Sequence, residues 1–256
     1  MWSDQVAVVT GGARGIGRAI ARRLARHGAA VCVNYAVQDA AAAQVVGEIQ
    51  AAGGRAVSAA ADVADGAAVR AMIARAEAAL GPVTILVNNA GVSHQATLDN
   101  FDDAQFERMR RVNADGVIHT TRAVMDGMRA RRYGRIVNVT SIAALGTALP
   151  GNAFYAATKA EAVILTRRFA MELGPHGITV NAVAPGFIRT DMTQDKRSPT
   201  EWQAVEKRLS ERAMLGRIGE PEDIANAVAF LAAPESGWVT AQMIAVDGGR
   251  MDYIGG

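Results

Sequence analysis

Val6-Ala-Val-Val-Thr-Gly-Gly-Ala-Arg-Gly-Ile-Gly17 decides the architecture of this chain. Its first four residues form a short apolar run, which reads as a strand buried on both faces. Beyond the glycines, Ile16, Ile20 and Leu24 recur every fourth residue, while Arg18, Arg22, Arg23 and Arg26 take the polar side and Gly28 supplies the stop. A strand, a glycine turn and a helix in that order give the glycines a phosphate-binding meaning. Backbone N–H groups can approach a pyrophosphate where no side chain intervenes, and a helix N-terminus carries partial positive charge. Gly11, Arg14, Gly15, Ile16 and Gly17 are the expected contacts of such a group.

The second strand, Ala30-Val-Cys-Val-Asn34, ends at Asn34-Tyr35. An NAD-selective site places an acid here to accept from the ribose 2′-hydroxyl. Asn34 and Tyr35 are not acidic, and the Arg14 guanidinium suits a 2′-phosphate in geometry and charge. NADP is therefore expected in preference to NAD. An alanine-rich helix over residues 40–52 leads to a third strand at Arg55-Ala-Val-Ser58 and its neighbours, and then to Asp62-Val63. Asp62 either bonds an adenine amino group or caps the next helix, which runs through Val69, Met72, Ile73 and Leu80 to Gly81-Pro82. Thr84-Ile-Leu-Val-Asn-Asn-Ala-Gly91 is the fourth strand and its exit. The amides of Asn88 and Asn89 are expected to satisfy backbone groups across strand ends, and small Ala90 and Gly91 let a ribose lie against the chain.

Strands alternating with helices over short joints predict an α/β fold: a Rossmann-type, doubly wound parallel sheet of about seven strands with helices on both faces. No linker or repeat interrupts residues 1–256, which read as one domain with its crevice at the strands' carboxyl ends. Half the residues are hydrophobic, a fifth are charged and the net charge is +2, an ordinary globular composition. The arginines alternate with acids, so no basic block forms and nucleic acid is not an expected partner. Cys32 is the single cysteine, which excludes an internal disulfide and a cysteine-based zinc site, and no metal is expected. No signal segment or membrane span is read, so a cytoplasmic location is expected.

Residues 101–132 read as one long helical region with Asn113 inside it, either on a solvated face or as an amide that interrupts the helix near the site. Gly134-Arg-Ile-Val-Asn-Val-Thr-Ser141 is the fifth strand and delivers Ser141 at its carboxyl end. On the helix that follows, Tyr155 and Lys159 are four apart and share a face. A phenol with a pKa near ~10 is a poor acid–base catalyst at neutral pH, and a neighbouring ammonium lowers that pKa. Ile178-Thr-Val-Asn-Ala-Val-Ala184 forms the sixth strand, followed by Pro185-Gly-Phe-Ile-Arg-Thr190, and Ala241-Gln-Met-Ile-Ala-Val246 forms the seventh.

With these motifs in order, the chain resembles the short-chain dehydrogenases/reductases, in particular the bacterial 3-oxoacyl-(acyl carrier protein) reductase branch. The resemblance rests on the glycine turn, Asn88-Asn-Ala-Gly91, Asn113, Ser141, Tyr155-x-x-x-Lys159, Asn181-Ala-Val-Ala-Pro-Gly186 and Val246-Asp-Gly-Gly249, and spans nearly the whole chain. It implies that Tyr155 exchanges the proton of the carbonyl or alcohol and that Lys159 lowers the phenol pKa and holds the nicotinamide ribose. It implies that Ser141 steadies the oxyanion and Asn113 anchors a proton-relaying water. Pro185, Gly186, Ile188 and Thr190 would meet the nicotinamide. A homotetramer is implied, with the last strand and the catalytic helix in its contacts.

Tyr155 follows Ser141 by fourteen residues, one more than the family commonly leaves, which places an extra residue around Gly146-Thr147-Ala148. Residues 191–216 are expected to form a short mobile helix over the substrate. Ser93, His94, Leu145, Met192, Trp202 and Val205 are the pocket-lining candidates, each of which also reads as core or surface packing. Carrier-protein reductases dock their acidic partner on basic residues. Arg132 matches one such position and His176, mostly neutral at pH 7, the other, which counts against docking of acyl carrier protein. The expected function is NADPH-dependent ketone reduction, on 3-oxoacyl thioesters or related ketones. A secondary-alcohol, sugar or polyol dehydrogenase and a non-catalytic dinucleotide sensor are the other readings.

Overall fold

The computed structural model describes residues 2–190 and 198–253. Its first half alternates β1 (Val6–Val9), α1 (Gly15–Arg26), β2 (Ala30–Tyr35), α2 (Asp39–Ala51), β3 (Ala56–Ala60), α3 (Gly66–Leu80) and β4 (Ile85–Asn88). The second half carries α4 (Asp103–Arg110), α5 (Gly116–Arg131), β5 (Gly134–Val139), α6 (Ala153–Leu173) and β6 (Ile178–Pro185), then α7 (Pro199–Ser210), α8 (Pro221–Ala232) and β7 (Met243–Val246). Among the described residues the seven strands form one parallel sheet in the order β3-β2-β1-β4-β5-β6-β7.

Every residue of β1, β4, β5 and β6 is buried, as the unbroken apolar runs predict for strands covered on both faces. One core layer joins Ala7, Val9, Val31 and Val87 to Ile20, Leu24, Ile224 and Leu231 of α1 and α8. The other joins Val8, Leu86, Ile136 and Val180 to Met72, Ile73, Val124 and Met128 of α3 and α5. The side chains alternate between the two layers along each strand. Since β1 pairs with both β2 and β4, the chain winds outward in opposite directions from this point and leaves a crevice at its carboxyl end.

Several local expectations needed correction. Residues 101–132 are not one helix: a π-helical turn at Arg111–Asp115 separates α4 from α5, and buried Asn113 sits in it. Asp62 is not the cap of α3. Asp65 takes that position, its carboxylate accepting from Ala67 N and Ala68 N at 2.8 and 3.1 Å. The seventh strand starts at Met243 rather than Ala241, whose φ of +61° turns the chain out of an extended path. Asn88 bonds side chains rather than backbone, donating to Asn138 Oδ1 at 2.9 Å and accepting from Thr120 at 2.6 Å. No helix among the described residues is long and apolar enough to cross a membrane.

Candidate active site

The glycine turn is built to leave backbone exposed. Gly11 has φ +60°, and a Cβ on Gly17 would lie 2.2 Å from Gly11 O, so neither position takes a side chain without moving the turn. Arg14 stands at the N-cap of α1 with no side-chain capping bond, leaving the first-turn N–H groups to the crevice. Across the turn, Thr10 Oγ1 accepts from Asn89 N and Ala90 N at 2.9 and 3.0 Å, and Asn89 Nδ2 donates back to Thr10 O and Gly11 O. The β1 and β4 exits are thus stitched together, and a crevice of about 470 Å³ lies beside them.

Gly11, Arg14, Gly15, Ile16, Gly17, Asn34, Tyr35, Asp62, Val63, Asn89, Ala90, Gly91, Pro185, Gly186, Ile188 and Thr190 all line this crevice, as do Ser141, Tyr155 and Lys159. An exposed glycine-rich backbone, an uncapped helix terminus and a cleft at the switch point fit a dinucleotide. Arg14 is exposed and makes no ion pair among the described residues. The Asn34 amide is engaged by the backbone. It accepts from Gly11 N and donates to Ala59 O and Ala61 O, tying the turn to β3. The Tyr35 hydroxyl donates to Asp39 at 2.7 Å. Asp62 accepts from Ala64 N and pairs with Arg108 at 2.9 Å. Arg108, on α4, also lines the crevice, and sequence reasoning missed it because this pairing is long-range and leaves no local pattern.

Tyr155 and Lys159 rise from the first turns of α6 on the face turned toward β5. Lys159 is buried, donates to Val139 O at 3.0 Å, and has its Nζ 5.9 Å from the centre of the Tyr155 ring. Loss of hydration lowers the ammonium to about 8. Burial pushes the Tyr155 phenol up, and a hydrogen bond from Ser141 pulls it back part of the way. The expected lowering of the phenol by Lys159 is thus not the dominant effect here: desolvation acts on both groups. Ser141 Oγ accepts from Ala143 N at 3.1 Å, which leaves its proton for the phenol.

Asn113 lies just behind the crevice. Its amide, expected to hold a water, clamps the Val92 backbone, accepting from N and donating to O at 2.9 Å each, and donates to Thr158 Oγ1 at 3.0 Å. Thr158 in turn donates to Tyr155 O at 2.8 Å, so Asn113 connects the β4 exit to the first turn of α6. Of the substrate-pocket candidates among the described residues only Ser93 lines the crevice, and Met192 lies outside the described residues. Trp202 and Val205 pack with Leu209, Ile218 and Phe187 in a small separate core under α7, Leu145 is exposed, and His94 uses its backbone N–H on Met109 Sδ. Spacing alone did not distinguish a helix face turned to a cleft from one turned to its own core.

The fold and this crevice are those of the dinucleotide-binding class of α/β proteins. A family model described as "Enoyl-(Acyl carrier protein) reductase" matches residues 11–250. The short-chain reductase protein NovJ of Streptomyces niveus is 42% identical over 96% of this chain and 94% of its own length. The 3-oxoacyl-[acyl-carrier-protein] reductase FabG of Staphylococcus epidermidis is 43% identical over 96% of this chain and 98% of its own. A solved short-chain dehydrogenase/reductase from Serratia marcescens superposes with a TM-score of 0.87 at 37% identity, covering 96% of this chain and 97% of that one. The chain belongs to the short-chain dehydrogenase/reductase family and resembles its 3-oxoacyl-(acyl carrier protein) reductase branch.

Proposed function

We propose that the protein is an NADPH-preferring ketone reductase acting on 3-oxoacyl thioesters or related ketones, with Tyr155 as the general acid. The reading rests on one arrangement: Tyr155 and Ser141 together on the crevice wall, near enough for the serine to act on the phenol, with Lys159 behind them. When bound, the dinucleotide supplies the hydride. Its phosphates would meet the Gly15–Gly17 backbone, Lys159 its nicotinamide ribose, and Gly186, Ile188 and Thr190 its carboxamide end. A ketone oxygen reaching Tyr155 and Ser141 finds two O–H donors where negative charge develops. Because burial raises the phenol, Tyr155 holds its proton at neutral pH and serves as an acid without first being charged. The Asn113 clamp keeps α6 in register with the β4 exit, which fixes where the phenol stands.

The test is a spectrophotometric screen of acetoacetyl, crotonyl and other acyl thioesters, simple ketones, sugars and polyols with NADPH, NADH and their oxidised forms. Reduction of ketones with NADPH is the expected result. Activity only on the crotonyl double bond, or only in the oxidation of sugars, overturns it. Acyl carrier protein is tested in the same assay by comparing a carrier-bound with a free thioester. Arg132 donates to Pro175 O at 3.1 Å, which brings it next to His176 at one corner of the surface. The protein is further proposed to work as a homotetramer, which sedimentation measures directly.

Arg14 supplies a prediction about the cofactor. Among the described residues the end of β2 offers no free acid for a 2′-hydroxyl, since Asp39, the nearest in sequence, already receives the Tyr35 hydroxyl. Arg14→Ala should weaken NADPH binding by about tenfold, the value of one charge-assisted phosphate contact, and leave NADH binding within about twofold. Fluorescence titration with each dinucleotide measures both. Equal losses for the two would remove Arg14 from the 2′-phosphate site.

A further inference from the structure

Thirteen residues separate Ser141 from Tyr155, and the structure shows what the middle of this loop rests on. Ala148 N donates to Asp252 O at 2.9 Å, and Thr147 and Tyr253 form an antiparallel bridge. On its other side the same C-terminal segment accepts Met214 N at Gly249 O and Leu215 N at Gly248 O, and donates Met251 N to Arg212 O, all at 3.0 Å. Residues 248–253 therefore run as an irregular segment in the middle of a small cap, with an isolated antiparallel bridge on each side. Its outer members are the chain after α7 and the midpoint of the Ser141–Tyr155 loop.

Asp252 holds the cap together. Its carboxylate accepts from Arg212 Nη1 at 3.0 Å and Arg250 Nε at 2.7 Å, while its backbone oxygen takes the loop. The Arg250 and Asp252 side chains are only 6% and 14% exposed, so this is a sheltered ion pair, unlike the solvated pairs that contribute little. The Tyr253 hydroxyl donates to Asp247 and fixes the end of the segment.

We propose that Asp252 is a positioning residue for substrate, acting through this cap on the loop that joins the crevice-lining Ser141 and Tyr155; the proposal rests on the ketone-reductase reading above. Ser141 itself is set by β5, since the neighbouring Thr140 N and Oγ1 both donate to Val183 O. The far end of the loop is held where Ala96 N meets Gly151 O at 3.0 Å. The midpoint is held by the tail. Releasing it should loosen the loop between the two crevice residues while both of its ends stay held.

The experiment compares full-length wild type with Asp252→Ala, Asp252→Glu and the surface variant Arg212→Gln, which keeps Asp252 and tests the same contact if Asp252→Ala does not fold. Backbone hydrogen exchange without ligand, NADPH affinity, and KM and kcat for the best ketone of the screen are measured. Asp252→Ala should speed exchange at Ala148 by at least about tenfold and raise KM by about tenfold, with NADPH affinity within about twofold and kcat within about threefold. Asp252→Glu should recover most of both losses, and Arg212→Gln should show a smaller change in the same direction. Unchanged exchange at Ala148 overturns the proposal, as does faster exchange with an unchanged KM, or a parallel loss of NADPH affinity. A wild-type chain that reduces no carbonyl removes the ketone-reductase reading instead, while the exchange data still decide whether Asp252 fixes the loop.

Discussion

Tyr155→Phe is expected to lower kcat/KM for ketone reduction by roughly 10³-fold, within the range a positioned general acid contributes, while NADPH affinity stays within about twofold. Reduction of a ketone would put negative charge on its oxygen, and Tyr155 and Ser141 stand together on the crevice wall where such an oxygen would meet them. Ser141 can donate a hydrogen bond, but an aliphatic hydroxyl is a far weaker acid than a phenol, so the proton that is given away is expected to come from Tyr155. The variant keeps the ring, its packing and the Lys159 contact with Val139 O. It loses one partly buried hydrogen bond, worth about 1 kcal/mol, so the fold survives and the measured loss is chemical. A loss of that size in kcat/KM corresponds to about 4 kcal/mol of transition-state stabilisation. A protein that only senses the dinucleotide would bind NADPH and show no turnover to lose. Unchanged turnover in the variant would remove Tyr155 from the chemistry.

How much of this was legible in the sequence follows from the range of the interactions. The glycine turn, the buried strands and the Tyr155–Lys159 spacing are local patterns, each readable because a few neighbouring residues dictate the backbone. The switch point followed from the alternation of strands and helices. What the sequence hid is long-range. Asn34 is legible only as a non-acidic end to the second strand; that its amide is taken up by Gly11, Ala59 and Ala61 depends on residues that meet it only in the folded sheet. Asn113 was visible as an anomaly in a helical stretch, and the π-helical turn is how the chain accommodates it; its partners Val92 and Thr158 were not visible. Trp202 and Val205 have helical spacing in either environment, and only the position of Phe187 and Ile218 shows which side they face. The tail contact with the Ser141–Tyr155 loop joins residues about a hundred apart, and no pattern in either segment announces it.

Lys159→Met should stabilise the dinucleotide-free protein at pH 7 by about 2 kcal/mol while lowering turnover by at least about 100-fold. The ammonium is buried among the ends of β4, β5 and α6 with one carbonyl partner among the described residues, and burial brings it from its ordinary 10.5 to about 8. That displacement means the charged form costs about 3 kcal/mol in the folded state, and losing the bond to Val139 O returns about 1. In a chain of this size the net change raises the melting temperature by roughly 5 °C. The pH dependence gives the direction independently. Below pH 8 folded and unfolded chains both carry the proton and the cost is fully present; between about 8 and 10.5 the unfolded lysine stays protonated while the folded one releases its proton, so wild-type stability gains on the variant as pH rises. The stability gap should therefore close through that window, and denaturant melts at pH 7, 8.5 and 10 would measure it. Reduction by the wild type should fall above pH 8 for the same reason, since the lysine that would hold the ribose loses its charge there. A destabilised variant at pH 7, or a gap that widens with pH, would mean that the ammonium has a partner that already neutralises its burial. The cost makes sense only as preparation: a buried charge so sparsely partnered is held ready for a ligand that brings the remaining acceptors with it.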